Sequence, residues 1–170
     1  MILKILGCIS ILAGSYSIGC ILIYQENNQE KALAELHNCL QWMVCELRYQ
    51  MPPLEALCRS AAEQGRGTIA SVMLHFSDQL QQQQFVDPAL CMQTALDTVN
   101  NVPKQALKRL YELGFSLGQF DLENQISSIE LTAQHCRQDL EKIRNGIDQR
   151  RRNYQTFSLC AGAALSIIIL

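Results

Sequence analysis

The side chains of this sequence that could do chemistry are three histidines, eight cysteines and a close pair of carboxylates, Asp121 and Glu123. A metal centre needs ligands that converge from one side. His37 and Cys39, like His135 and Cys136, stand so close along helical stretches that neither pair turns to one metal from one face. His75 lies in a third helical stretch. The cysteines contain no C-x-x-C pair, and we read them as reduced thiols. Cys8, Cys20 and Cys160 fall within apolar segments, and Cys39, Cys45, Cys58, Cys91 and Cys136 on or near apolar helix faces. Asp121 and Glu123 could be imagined as a general acid and base, but two carboxylates at a helix start are better explained by the helix dipole. Gly65-Arg66-Gly67-Thr68 lacks the lysine and the spacing of a phosphate-binding loop, and no G-x-S-x-G elbow occurs. We therefore expect no catalytic residue, no metal, no cofactor and no small-molecule substrate.

The most organised stretch is Leu113-Gly114-Phe115-Ser116-Leu117-Gly118-Gln119-Phe120-Asp121-Leu122-Glu123-Asn124-Gln125. It reads as the end of one helix, a tight break and the start of a longer helix. Gly118 follows Leu110, Leu113 and Leu117, where a left-handed residue closes a helix. Asp121 is placed to accept the unpaired N–H groups that open the next one. Gly114 lies one turn before Gly118, so the two share a face on which another backbone can come close. Gly114, Leu117, Gly118, Asp121 and Gln125 are thus candidates for a structural corner or an interaction site.

The elements around this corner are helical throughout. Leu33, Leu36, Leu40, Met43 or Val44, and Leu47 recur at three and four residues, the stripe of an amphipathic helix. Trp42 lies near that stripe and is read as packing. Pro52-Pro53 ends this helix, and Pro53 is expected to open the next, which carries Leu54, Leu57 and Ala61 and closes at Gly65. Ile69, Val72, Met73, Phe76 and Leu80 mark a third helix, ending near Gln81-Gln82-Gln83-Gln84. Asp87-Pro88 is a helix start leading to Cys91, Ala95 and Val99. After Asn100-Asn101-Val102, Pro103 begins the helix of Leu107, Leu110, Leu113 and Leu117. Ile126, Ile129, Ala133, Cys136, Leu140, Ile143 and Ile147 then run in helical register through Gly146, which weakens a helix by about 1 kcal/mol without ending it. No stretch alternates as a strand would.

Both ends are apolar. Residues 5–24 are almost uncharged after Lys4, and about 20 residues at 1.5 Å each reach about 30 Å, one bilayer core. The stretch is longer than a signal peptide's apolar region and has no cleavage site of small residues. Residues 154–170 are uncharged and reach about 25 Å, a deficit that snorkelling basic side chains can cover. Arg150, Arg151 and Arg152 abut this segment as a membrane stop signal and place that side in the cytosol. The expected layout is a transmembrane helix at 1–24, a cytosolic helical domain at 25–153 and a transmembrane helix at 154–170. The formal net charge of -2 gives no pull toward nucleic acid. It is unevenly spread: residues 25–103 hold 4 Lys/Arg against 9 Asp/Glu, and residues 104–153 hold 9 against 7. Glu30, Glu35, Glu46 and Glu55 form a candidate acidic docking face for a basic partner.

In this arrangement Gly114, Leu117-Gly118, Asp121 and Gln125 resemble the motif of the stage III sporulation protein AB family. Glu46-Leu47-Arg48 and Pro53-Leu54-Glu55-Ala56-Leu57 are similar to that family's first helical hairpin, and the resemblance covers essentially the whole chain. It implies an all-α, compact six-helix bundle akin to the cytosolic domain of the F-type platform protein of type II secretion, flanked by two transmembrane helices. It also implies a non-enzymatic adaptor at the membrane of the mother cell, in a complex joining that cell to the forespore. The implied partners are a secretion-type ATPase, other membrane components of the complex and the lipid bilayer. The alternative is a membrane-anchored scaffold or regulator that binds a soluble signalling protein.

Overall fold

The computed structural model describes the backbone of residues 2–82, 87–117 and 122–169, and side chains over 24–82, 87–117 and 122–146. Its elements are all helices: α1 (Ile2–Tyr49), α2 (Leu54–Gln64), α3 (Gly67–Gln81), α4 (Pro88–Thr98), α5 (Lys104–Ser116) and α6 (Leu122–Ile169). Contacts divide the chain into one unit made of 1–28 with 142–170 and another spanning 29–141.

The period of the apolar residues decides what is buried in the 29–141 unit. Leu33, Leu36, Leu40, Met43 and Leu47 of α1 are all inside, as are Leu57, Ile69, Met73, Phe76, Met92, Leu110, Leu113 and Ile129. Consecutive helices pack on one another from α2 to α5. Polar ties join α3 to α2 as well: Ser77 donates to the Glu55 carbonyl at 2.9 Å, and Arg59 to Asp78 at 2.8 Å. Trp42 is half-buried.

Several helix starts follow from single residues. Asp87 caps α4 by accepting from the Ala89 N–H at 3.0 Å, with Pro88 in the first turn. Pro53 and Pro103 stand one position before the first helical residue, where we expected them inside it. Their ψ values of 149° and 139° are extended, while their carbonyls accept the first helical bonds, from Leu57 and Leu107. Asn101 takes φ 65° in the α4–α5 break, a conformation asparagine tolerates better than most residues.

Two findings differ from the expected boundaries. α1 runs unbroken across the change from apolar to polar composition near residue 25, and α6 runs unbroken through Gly146 and the backbone of Arg150, Arg151 and Arg152. Neither stretch holds a proline, and composition alone does not stop a helix. α5 ends at Ser116, with Leu117 already extended at φ -75°, ψ 135°. Gly118 and Asp121, the expected helix stop and start, lie outside the described residues. Among the described residues no helix is long and apolar enough to cross a membrane. The side chains of both apolar ends, Tyr24 excepted, also lie outside the described set.

Gly114 explains how closely α4 and α5 approach. It is buried, and a Cβ there would stand 2.5 Å from the Cβ of Met92 and 2.8 Å from its Cγ. The blocking atom is the root of a buried side chain and cannot swing away. Gly114→Ala is therefore expected to lower stability by about 1–3 kcal/mol through overpacking, outweighing the roughly 1 kcal/mol that alanine gains in a helix. Chemical denaturation of wild type and variant reads the sign directly.

Candidate functional site

The residues singled out from the sequence sort into those the bundle consumes and those it displays. Gly114 and Leu117 are inside, Leu117 only 1% exposed, so both are structural. Gln125 is half-buried on the first turns of α6. Of the acidic candidates, Glu35 faces inward toward the start of α3: a Cβ on Gly67 would lie 3.1 Å from its Oε2. Gly67 has φ +66°, a left-handed conformation that suits glycine. Burial raises the pKa of Glu35, and Lys31 partly offsets this. On a helix turning 100° per residue, Glu46 sits about 20° around α1 from Glu35, whereas Glu30 sits about 140° away. The four glutamates therefore do not share one face. Glu46 is half-buried, and Glu55 is exposed at the start of α2.

The first and last helices of the 29–141 unit are tied directly. His37 Nδ1 donates to the Ala133 carbonyl at 2.9 Å, and Arg48 pairs with Glu130 at 2.5 Å. As residue numbers rise along α1 they fall along α6, so the helices are antiparallel. Between them lies a groove of about 490 Å³ that includes His37, Cys45, Glu130 and Arg137 in its lining. Three of its ionisable groups are turned to protein partners: His37 to a carbonyl, Glu130 to Arg48, and Arg137 to Glu141. Among the described residues no group of three or more His, Cys, Asp or Glu is placed to hold a metal ion.

A second tie joins α5 to α6. Arg109 donates to Asp139 at 2.6 Å and to Glu112 at 2.6 Å, with Arg109 and Asp139 side chains only 12% and 15% exposed. Burial alone would lower the Arg109 pKa, but the hydrogen bonds to Glu112 and Asp139 outweigh it and hold the cation. Sequence reasoning passed over this residue, because a lone arginine on an amphipathic helix carries no signal of its partner.

The antiparallel pairing brings two distant stretches to one end of the bundle. Arg48 is one residue from the end of α1, and Glu130 is about two turns into α6. The α1–α2 corner and the α5–α6 corner are therefore at the same end. That end displays apolar side chains: Tyr49 is 87% exposed, Met51 64% and Phe115 65%. Met51 also takes φ 48°, a left-handed conformation that costs a non-glycine residue about 1–2 kcal/mol.

With this geometry in place, the chain can be set beside known proteins. The sequence matches the family described as Stage III sporulation protein AB over residues 4–170. The chain belongs to the stage III sporulation protein AB family. A solved structure of a stage III sporulation protein AB superimposes with a TM-score of 0.60 at 21% identity, covering 71% of this chain and 97% of that one. At that identity the likeness speaks for the fold. No curated protein matches the sequence. The six-helix, all-α architecture expected from the sequence is thus the architecture found, and the chain is a sporulation protein by family.

The cysteines of this family member differ sharply in setting. Cys39, Cys58, Cys91 and Cys136 are buried, whereas Cys45, expected on or near an apolar helix face, is exposed. Burial pushes the thiols of Cys39 and Cys136 up to about 12, and that of Cys58 upward too, reinforced by Cys39. A thiol whose pKa rises on folding keeps a proton that the unfolded chain has lost. Its contribution to stability is full below the ordinary value of 9.0 and declines as pH climbs from there toward 12. At pH 8 iodoacetamide is expected to modify Cys45 well before Cys39, Cys58 and Cys136, as read by peptide mass spectrometry. Arg109→Ala, which removes its hydrogen bonds to both Asp139 and Glu112, is expected to cost about 2 kcal/mol in denaturant unfolding, since the pair is only partly screened.

Proposed function

We propose that this protein is a non-enzymatic, membrane-anchored adaptor of a sporulation secretion-like complex. Its terminal segments, 1–24 and 154–170, hold it at the membrane of the mother cell, and its helical domain contacts a cytosolic secretion-type ATPase. Coupling is by contact: motion driven by nucleotide turnover passes through the bundle to the membrane components that join mother cell and forespore. The observation that supports this reading best is collinearity. The family match runs from residue 4 to residue 170, taking in both apolar ends and not the helical domain alone. Arg150, Arg151 and Arg152 beside the second apolar segment support a cytosolic domain, by the positive-inside tendency. In the groove between α1 and α6, His37, Glu130 and Arg137 are each turned to a protein partner, which supports a binding role over a catalytic one.

Two measurements test the two halves of this reading. Full-length protein expressed in a membrane system is expected to stay with the membrane through alkaline carbonate washing. Release into the wash removes the anchor. Detergent-solubilised protein is expected to co-purify with the secretion-type ATPase from the same organism. If it stays anchored but ignores the ATPase, the protein is a scaffold for other components.

A further inference from the structure

We propose that the end of the bundle where α1 and α5 finish and α2 and α6 begin is the docking surface for a basic protein surface that carries apolar side chains of its own. The inference rests on the adaptor reading above and says where, and with what chemistry, the partner binds.

Three observations converge on this end. The first is topological. Glu46-Leu47-Arg48 with Pro53-Leu54-Glu55-Ala56-Leu57, and Leu113 through Leu117, stand some sixty residues apart in the chain. They belong to the stretches that carry the family resemblance, and the Arg48–Glu130 pair sets the end of α1 and the start of α6 at one end. The second is exposure. Within those stretches the inward residues, Leu47, Leu57, Leu113, Gly114 and Leu117, account for the fold. Tyr49, Met51 and Phe115 do not: each leaves well over half of its surface to solvent at the cost of hydration. Tyrosine is a common anchor of protein interfaces, and methionine adapts its shape to a partner. Met51 is moreover held in a left-handed conformation that turns the chain at this point.

The third observation is charge. The same end carries Glu46 in the last turn of α1, Glu55 in the first turn of α2 and Glu123 in the first turn of α6. Arg48, the cation of these two stretches, is paired with Glu130. The lysines of α5, Lys104 and Lys108, lie at and near the helix's other terminus. Acidic side chains at the same end as exposed aromatic and methionine side chains complement a basic, apolar-bearing surface and steer encounter with one. They repel an anionic bilayer or a nucleic acid.

The test uses the full chain in neutral detergent and the purified secretion-type ATPase as probe, with affinity read by biolayer interferometry at two salt concentrations. The variants are Tyr49→Ala with Met51→Ala, and Glu46→Lys with Glu55→Lys. The control, Lys104→Ala with Lys108→Ala, sits away from this end. All alter exposed or half-exposed positions, and thermal unfolding checks that each stays folded. The expected result is binding weakened by about tenfold or more in both variants, a fall in wild-type affinity with salt, and a control within about twofold of wild type. Wild-type binding with both variants unchanged overturns this location and leaves the adaptor reading standing. The same overturning follows if the control weakens as much as the variants. Failure of wild type to bind the ATPase overturns the adaptor reading and this inference with it.

Discussion

The antiparallel seating of α1 on α6 is the constraint from which the rest of the 29–141 unit follows. His37 spends its Nδ1 proton on the Ala133 carbonyl, and Arg48 reaches Glu130 near the end of α1. Once these two helices lie head to tail, the four short helices between them must reverse direction at each connection to bring the chain back. The Ser77–Glu55 contact, between the first turn of α2 and the last turns of α3, shows one such reversal. A consequence is that successive connections fall at alternate ends, so that α1 and α5 finish at the same one.

The polar ties select this arrangement more than they power it. Exposed pairs such as Arg48–Glu130 contribute about 1 kcal/mol or less. Burial of Leu33, Leu36, Leu40, Phe76, Leu110 and their neighbours supplies roughly 1.5–3 kcal/mol for each large side chain, and much of that offsets chain entropy. Hydrophobic burial is tolerant of register, however, and an ion pair is not. Arg109 can satisfy Asp139 and Glu112 together only when α5 and α6 sit in one alignment. Gly114 adds a steric version of the same demand, because only a residue without a Cβ lets α4 come as near as Met92 does.

The corner stretch serves two ends at once. Its inward residues, Gly114 and Leu117, hold helices together, and its outward residue, Phe115, is left to solvent. The α1–α2 corner divides in the same way, with Leu47 inside and Tyr49 and Met51 out. A family resemblance carried by such stretches mixes folding with recognition. Burial separates the two: what is inside answers to packing, and what is apolar yet outside calls for a partner. Glu35 and Glu46 illustrate the sorting, since they lie on one side of α1 while Glu35 is committed to the start of α3.

The sequence by itself determined the helical class and most of the core. These follow from the 3.6-residue period and from proline, both local properties. Pro88 with Asp87 marked a helix start correctly because a cap is made within a few residues. Membership of a sporulation family was legible for a related reason, since Gly114, Leu117-Gly118 and the prolines are spaced along the chain itself. Only the tertiary structure decided which residues of those motifs are spent on packing and which stand outside. It also decided that Arg109 finds Asp139, that Glu30 parts company with Glu35, and that Tyr49 and Phe115 share an end. Each of these depends on which face of one helix meets which face of another, and that is a sum over many weak contacts that no short stretch of sequence contains.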